Sequence, residues 1–202
     1  PYCRGEIGPL DPGDGEADRI DLSAQRERCS LAAVEGDALY AALAAAGVDY
    51  GPSFRAVRRV RIGTTEALAE IVLPTAAEDR AFALSPMLLD AALHAAAPLM
   101  ARRSPSAGAM LACGVDRVDV YSPCGGSAWA VVREAPAGQG LRRLDVDICD
   151  AQGDISVRIR GYTLRLLESD ALAAAQDAQN DADKATAAPT AHLLAPTWCA
   201  LE

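Results

Sequence analysis

The chain has 202 residues, of which 50% are hydrophobic and 4% aromatic, and its formal net charge at pH 7 is −9. This composition supplies one core of good size, built mainly from small and aliphatic side chains. The negative net charge argues against nucleic acid as a partner, because phosphate binding requires a basic surface.

The cysteines and histidines form no pattern typical of a metal site. None of the cysteines belongs to a CxxC pair, and the two histidines, His94 and His192, lie far apart. We therefore expect no metal, and reduced, buried thiols in a cytoplasmic protein. The six cysteines are Cys3, Cys29, Cys113, Cys124, Cys149 and Cys199.

Residues 1–30 predict no self-contained unit. Tyr2–Ile7 predicts one short strand, Gly8–Gly15 is rich in turn residues, and Asp21–Arg28 predicts one exposed helical turn. The chain begins with Pro and shows no signal peptide, so we expect it to be part of something longer.

A helix, a tight loop and a β-hairpin are predicted next, over Val34–Gly47, Val48–Phe54, Arg55–Ile62 and Glu66–Leu73. The helix has an apolar face that includes Leu39 and Tyr40, and Gly47 is placed to end it. The loop carries Gly and Pro between aromatic residues, and the two strands are joined at Gly63–Thr65.

The segment Leu84–Ala97 predicts the central helix. Ser85 can cap the free backbone N–H groups, and Pro86 suits the first helical position. The helix is apolar nearly all round, as is typical of a helix enclosed by other structure, and its apolar stretch is too short to span a membrane. Asp90 and His94 interrupt it four residues apart and therefore lie on one face. A carboxylate in such a helix is costly unless it is paired or functional.

Four strands are predicted after a Ser/Pro/Gly loop at Arg102–Gly108, over Val115–Tyr121, Ala128–Glu134, Arg142–Asp150 and Ile155–Leu167. Alternation in the last two indicates one buried and one solvated face, and Asp150–Asp154 between them is a turn signal. This order predicts an α+β fold in which an antiparallel sheet curves around one long apolar helix, the hot-dog arrangement.

We expect the folded domain to span residues 31–168. Residues 169–192 are dominated by Ala, Asp, Gln and Asn and predict a linker, because they bury too little apolar surface to fold alone. Hydrophobic residues return at Leu193–Trp198, so residues 193–202 predict the start of a following domain.

Two motifs in order, Tyr50-Gly51-Pro52-Ser53-Phe54 and Leu88-Leu89-Asp90-Ala91-Ala92-Leu93-His94, resemble the dehydratase domains of modular polyketide synthases. Those domains carry a YGPxF segment and then an HPxLLDxxxQ/H segment on the hot-dog helix. Leu144–Gly161 is similar to their closing hairpin, in a form typical of synthases that use a trans-acting acyltransferase. Ala195–Trp198 is similar to the strand that opens the next region of such assembly lines.

A complete dehydratase of this family contains two hot dogs. The first supplies a histidine, in an HxxxGxxxxP segment, and the second supplies the aspartate. This sequence has no such histidine segment, and its Tyr2–Ile7 resembles the last strand of the first hot dog. The resemblance therefore implies the second, C-terminal half of a double hot dog, with residues 1–30 as an edge strand and linker from the preceding half.

The resemblance also implies the chemistry. The substrate is a β-hydroxyacyl thioester on the phosphopantetheine arm of an acyl carrier protein, and the domain itself binds no cofactor. Asp90 matches the general acid, His94 a residue that orients it, and the missing histidine the base. The residues matched to substrate binding are Tyr50, Gly51, Pro52, Phe54, Ser85 and Pro86. The implied partners are the carrier protein, neighbouring synthase domains, and a second hot dog from a preceding half or a homodimer.

Each of these residues also has a purely structural interpretation. Asp90 can be a capping or hydrogen-bonding group, His94 a core histidine, and Tyr50 and Phe54 loop packing. Four arginines on the first hairpin strand form either a basic patch for an acidic carrier protein or the solvated face of a strand. They are Arg55, Arg58, Arg59 and Arg61.

Two other functions stay open from the sequence. The family usually has His where this chain has Ser85. Together with the missing histidine half, this allows a dehydratase-descended domain that positions the chain or assists branching, cyclisation or double-bond migration without dehydrating. The third alternative is a free-standing hot-dog thioesterase or hydratase, against which the linker-like ends argue.

Overall fold

The computed structural model describes residues 5–9, 19–74, 82–103, 110–138 and 140–166. Within them the elements are α1 (Leu22–Arg28), β1 (Ala32–Glu35), α2 (Gly36–Ala45), a 3-10 helix (Pro52–Phe54), β2 (Val57–Ile62), β3 (Glu66–Val72), α3 (Pro86–His94), α4 (Ala96–Arg103), β4 (Met110–Gly114), β5 (Arg117–Val120), β6 (Ser127–Ala135), β7 (Leu141–Cys149) and β8 (Ile155–Leu166). None of these helices is long and apolar enough to cross a membrane.

The strands of the described residues form one eight-stranded antiparallel sheet in the order β1-β2-β3-β6-β7-β8-β4. β5 pairs with the first part of β8 and β4 with its last part. The predicted turn between β7 and β8 is confirmed. The Asp150 carboxylate accepts the N–H groups of Gln152 and Asp154 at 2.8 and 3.0 Å, and Gly153 has a φ of 88° that favours glycine.

The main core lies between the sheet and helices α2, α3 and α4. α3 contacts β2, β3, β6 and β7, and its buried side chains include Leu88, Ala91 and Ala92. Small side chains at these positions let the helix backbone approach the strands closely. The predicted α+β hot-dog arrangement, an antiparallel sheet around an apolar helix, is confirmed.

The central helix differs from its prediction in extent and continuity. It begins at Pro86, is interrupted at Ala95 and continues to Arg103 as α4. Pro98 explains the interruption, because proline has no N–H for the carbonyl of His94 and its ring clashes with that carbonyl. The prediction of a single helix over residues 84–97 is therefore corrected to two consecutive helices.

The predicted cap at the start of α3 is wrong in its mechanism. Ser85 occupies the N-cap position, and its carbonyl accepts the N–H of Leu89 at 2.9 Å. Its hydroxyl, however, is buried and has no hydrogen-bond partner among the described residues. Pro86 at the first helical position is confirmed as predicted.

Two short strands were not predicted, and both lie at the sides of the sheet. β1 replaces the predicted first turn of α2, which begins at Gly36, where a Cβ would come within 2.1 Å of the Val57 carbonyl oxygen. β4 is mostly exposed and therefore lacks the alternation that marks a strand. The end of α2 is as predicted, since Gly47 has a φ of 90° and donates to the Ala44 carbonyl at 2.9 Å.

Helix α1 lies on the outer face of the sheet and is not the exposed turn that was predicted. The Asp21 carboxylate caps it by accepting the N–H groups of Ser23 and Ala24. Leu22 and Gln25 are buried. They cover a second, smaller hydrophobic cluster, which contains Ile20, Leu22, Cys29, Leu68, Val131, Cys149 and Ile155.

No disulfide joins the described cysteines to one another, and two of them are less buried than predicted. Cys29 and Cys149 are buried and Cys124 is half-buried, whereas Cys113 on β4 is exposed. Burial raises the pKa of the Cys149 thiol to about 12, so it stays protonated at neutral pH.

Several predictions fall wholly or largely outside the described residues. Residues 5–9 carry no regular secondary structure, and the rest of the strand predicted at Tyr2–Ile7 is not described. The linker predicted at residues 169–192 and the segment at 193–202 are not described either. The domain boundaries therefore stay predictions.

Replacing Leu88 by alanine should lower the free energy of unfolding by about 2–5 kcal/mol, because the side chain is fully buried between α3 and the sheet. Urea unfolding followed by circular dichroism measures this change. Leu111→Ala is the matched control, since Leu111 is 56% exposed, and it should change the value by about 0.5 kcal/mol or less. Equal effects of the two substitutions would contradict the central position of α3.

Candidate active site

Asp90 and His94 lie one turn apart on α3 and contact each other, as predicted from their spacing. His94 Nε2 is 3.2 Å from Asp90 Oδ2. The Asp90 side chain is 34% exposed, whereas that of His94 is 7% exposed. The pair therefore lies at the boundary between the core and the surface, with the carboxylate on the outer side.

The His94 imidazole is enclosed by two tyrosine rings. Its centroid lies 4.2 Å from that of Tyr50 and 5.7 Å from that of Tyr40, both in edge-to-face arrangements. Neither ring nitrogen has a hydrogen bond within the described part of the chain, although Nε2 faces the Asp90 carboxylate. The imidazole is therefore held by the packing of the two tyrosine rings and by its contact with Asp90.

The loop that carries Tyr50 is held at several points. The Phe54 N–H donates to the Gly51 carbonyl at 3.0 Å, which forms the 3-10 helix. Arg55 donates from Nε to the Tyr50 carbonyl at 2.8 Å and pairs with Asp49 at 3.1 Å. These contacts set the loop so that the Tyr50 ring lies against His94.

Two of the four arginines on β2 and just before it form ion pairs with carboxylates. Besides Arg55, Arg59 pairs with Glu35 at 2.8 Å, and both arginine side chains are about half exposed. A paired, solvated cation adds little to a positive patch. This favours the solvated face of a strand over the carrier-protein patch that the sequence also allowed.

A cavity of about 490 Å³ opens between this loop and α3. Of the residues predicted for the site, it brings together Asp90, Tyr50, Gly51, Phe54 and Pro86. Pro52 and Ser85 do not line it: Pro52 is exposed in the loop, and Ser85 is buried beneath the start of α3. The remaining lining residues are Asp49, Leu89 and Leu93.

A second cavity, of about 930 Å³, adjoins the first at Leu93, which lines both. Its lining includes His94 and Tyr162 and, among the charged residues, Glu134, Arg142 and Arg143. Most of the other lining side chains are apolar, and they include Leu39, Leu43, Ala97, Met100, Leu144 and Leu164. A cavity of this size and lining can hold an extended apolar chain.

The tyrosines around Asp90 are electrostatically coupled to it. Burial raises the pKa of Tyr50 and of Tyr162, and the negative charge of Asp90 raises both further. Burial also raises the pKa of Tyr40, again with a contribution from Asp90. These phenols therefore stay protonated at neutral pH and can act as hydrogen-bond donors.

Two of these tyrosines were missed as site residues by sequence reasoning. The sequence places Tyr40 only on an apolar helix face, and it does not single out Tyr162 on the last strand. A tyrosine on a buried face is a signal in itself, because its hydroxyl requires a partner. For Tyr162 no local signal exists, since its position beside the cavity depends on the pairing of β7 with β8.

Three comparisons with known proteins identify the family of the chain. The family model described as "Polyketide synthase dehydratase N-terminal domain" matches residues 17–174. Polyketide synthase PksN of Bacillus subtilis (strain 168) is 36% identical over 169 residues, which are 83% of this chain and 3% of PksN. A trans-AT PKS dehydratase domain from Brevibacillus brevis has a TM-score of 0.70 at 33% identity, with 76% of this chain and 55% of that chain covered.

The chain therefore belongs to the polyketide synthase dehydratase family. Its relatives include a domain of the trans-AT type, as the resemblance implied. The motifs led us to expect the C-terminal half of a double hot dog, whereas the matching family model is described as an N-terminal domain. The expected half is thus not supported, whereas the dehydratase domain and the hot-dog fold are.

Replacing Asp90 by asparagine should lower the pKa of Tyr50 and Tyr162, because it removes a negative charge that disfavours their phenolates. A pKa raised by folding means that unfolding releases protons above about pH 10, so stability falls as the pH rises from there. The stability of the Asp90→Asn variant should therefore fall less steeply as the pH rises above about 10. Ultraviolet titration of phenolate and alkaline unfolding curves measure both effects. Asp37→Asn, at an exposed position of α2, should leave the titration unchanged.

Proposed function

We propose that the chain forms part of a site that removes water from a β-hydroxyacyl thioester, within a modular polyketide synthase. The substrate is carried on the phosphopantetheine arm of an acyl carrier protein, which docks at the site from among the neighbouring synthase domains. The observation that carries this proposal is the position of Asp90. Its carboxyl group lines a cavity between an apolar helix and the Tyr50 loop, 3.2 Å from His94.

Loss of water needs a base that acts at the α-carbon of the substrate and an acid that acts at the hydroxyl group on the β-carbon. A base removes the proton from the α-carbon, and the electron pair of that C–H bond becomes the new C=C bond. The C–O bond at the β-carbon breaks at the same time, and an acid protonates the departing oxygen to give water. Asp90 is the acid in this scheme, because its carboxyl group is partly exposed and faces the cavity.

His94 orients Asp90 in this proposal, and the base comes from outside the described residues. The imidazole is enclosed by the rings of Tyr40 and Tyr50, so it cannot also reach the α-carbon while it contacts Asp90. The chain covers 55% of the Brevibacillus brevis dehydratase domain, and the remaining part of such a domain is where a second group would lie.

The remaining site residues bind the substrate in this proposal. The Tyr50 hydroxyl is a protonated donor suited to the substrate oxygen atoms, while Gly51, Phe54 and Pro86 form the walls around the reacting carbons. The acyl tail extends past Leu93 into the larger cavity. Pro52 acts only by shaping the loop.

Replacing Asp90 by asparagine should lower kcat for dehydration by about 100-fold or more, since a general acid typically contributes at least this factor. The assay follows loss of one water by mass spectrometry, with a carrier-bound β-hydroxyacyl substrate and the longest polypeptide in which the chain occurs. Asp37→Asn is the matched control and should keep full activity. Unchanged water loss in the Asp90 variant would refute its catalytic role.

A larger side chain in the wall of the larger cavity should lower kcat/KM more for long substrates than for short ones. Ala97→Phe places a ring in its wall and should lower kcat/KM for long acyl chains by about tenfold or more relative to a four-carbon substrate. Ala44→Phe adds the same ring at an exposed position that does not line the cavity, and it should not alter the ratio. An equal loss for short and long substrates would place the acyl tail elsewhere.

A second candidate function is a dehydratase-like domain that does not dehydrate, and Ser85 favours it. The family usually has His at this position, whereas the Ser85 hydroxyl is buried, has no partner among the described residues, and does not line the cavity. The same assay separates the candidates. Recovery of an isomerised, cyclised or branched product without loss of water would favour this second function.

A further inference from the structure

Tyr40 lies behind the candidate site and joins two segments of backbone. It belongs to α2, and its side chain is 5% exposed. Its hydroxyl donates to the Phe54 carbonyl at 3.1 Å and accepts the Val57 N–H at 3.1 Å. Phe54 ends the loop that carries Tyr50, and Val57 begins β2. One buried hydroxyl therefore holds the end of this loop.

The ring of Tyr40 contacts the aromatic side chains of the site. Its centroid lies 5.7 Å from that of His94, with an interplanar angle of 84°, and 6.0 Å from that of Tyr50, with an angle of 62°. Because the rings of Tyr50 and His94 also contact each other, the three form a mutually packed set. Any movement of Tyr40 would thus change the packing on both sides of His94.

We propose that Tyr40 is a positioning residue of this site. Its hydroxyl holds the Tyr50 loop in place, and its ring supports the imidazole of His94. Through His94 it sets the orientation of the Asp90 carboxyl group. Tyr40 itself touches no reacting atom. Of the measurements that test this proposal, only that of activity rests on the proposed dehydration.

The buried position of Tyr40 makes it a stronger support for the loop than Arg55. Arg55 holds the same loop from the exposed side, where water competes for its hydrogen bonds. Loss of the Tyr40 hydroxyl instead removes the acceptor of the buried Val57 N–H, which is costly, and the donor to the part-buried Phe54 carbonyl. The loop would shift to satisfy these groups.

The position of Tyr40 is itself defined by close packing of α2. The helix begins at Gly36, which lies against the Val57 carbonyl so closely that no side chain fits between them. Val57 therefore contacts α2 twice, through its carbonyl at Gly36 and through its N–H at the Tyr40 hydroxyl. The close packing at Gly36 thus helps to position the Tyr40 hydroxyl against β2.

Tyr40→Phe tests this proposal, since it removes only the hydroxyl and keeps the ring. Tyr121→Phe is the matched control, because Tyr121 packs against the separate cluster on the outer face of the sheet. The first measurement is the imidazole ¹H–¹⁵N spectrum of the chain at fixed pH, in which His192 serves as an internal reference. The second is kcat and KM for dehydration, together with thermal unfolding of each variant.

We expect Tyr40→Phe to shift the His94 signals and leave those of His192 unchanged, and to lower kcat by about tenfold with a much smaller change in KM. Tyr121→Phe should do neither. The proposal would be overturned if the His94 signals were unchanged. It would also be overturned if both variants lost activity in proportion to their loss of thermal stability. If the longest polypeptide that contains the unaltered chain does not dehydrate, the proposed function fails, and the His94 signals alone decide the positioning role.

If Tyr40→Phe does not fold, a measurement on the unaltered chain still tests the proposal. Hydrogen exchange of the Val57 amide in the unaltered chain reports directly on its bond to the Tyr40 hydroxyl. Protection similar to that of the paired amides within β2 supports the proposal. Exchange at the rate of an exposed amide would refute it.

Discussion

Leu88, Ala91 and Ala92 pack against the inner face of the sheet, and this packing determines the rotation of α3 about its axis. Since successive residues of a helix are rotated by about 100°, the buried stripe sends Asp90 to the outer side. The small alanine side chains allow the helix to lie close to the strands. The placement of the two polar groups of α3, Asp90 and His94, follows from this one contact surface.

The site combines a satisfied and an unsatisfied set of buried polar groups. Tyr40 uses its hydroxyl both as donor and as acceptor and has a structural environment. His94 is equally buried, yet its ring nitrogens lack hydrogen bonds within the described residues. The polar contact of His94 is instead with Asp90, whose Oδ2 lies 3.2 Å from Nε2. The packed rings of Tyr40 and His94 thus lie between the backbone of the Tyr50 loop and the Asp90 carboxylate.

Composition and function are connected through the larger cavity. The sequence has few aromatic residues, and the cavity wall contains several alanines where larger side chains would fill the space, including Ala42, Ala46, Ala97 and Ala101. A volume of about 930 Å³ remains beside His94. In the proposed function, this space holds the acyl portion of the substrate.

The sequence by itself determined the features that depend on neighbouring residues. Periodicity placed β7 and β8 and put Asp90 and His94 on one helix face, and the Gly-Pro loop was recognisable from its composition. Only the tertiary structure decided that β1 and β4 are strands, because they form by pairing with distant segments. It also decided the contacts of Tyr40 and Tyr162, and that the Ser85 hydroxyl has no hydrogen-bond partner among the described residues, since these depend on which residues remote in sequence meet in the folded chain.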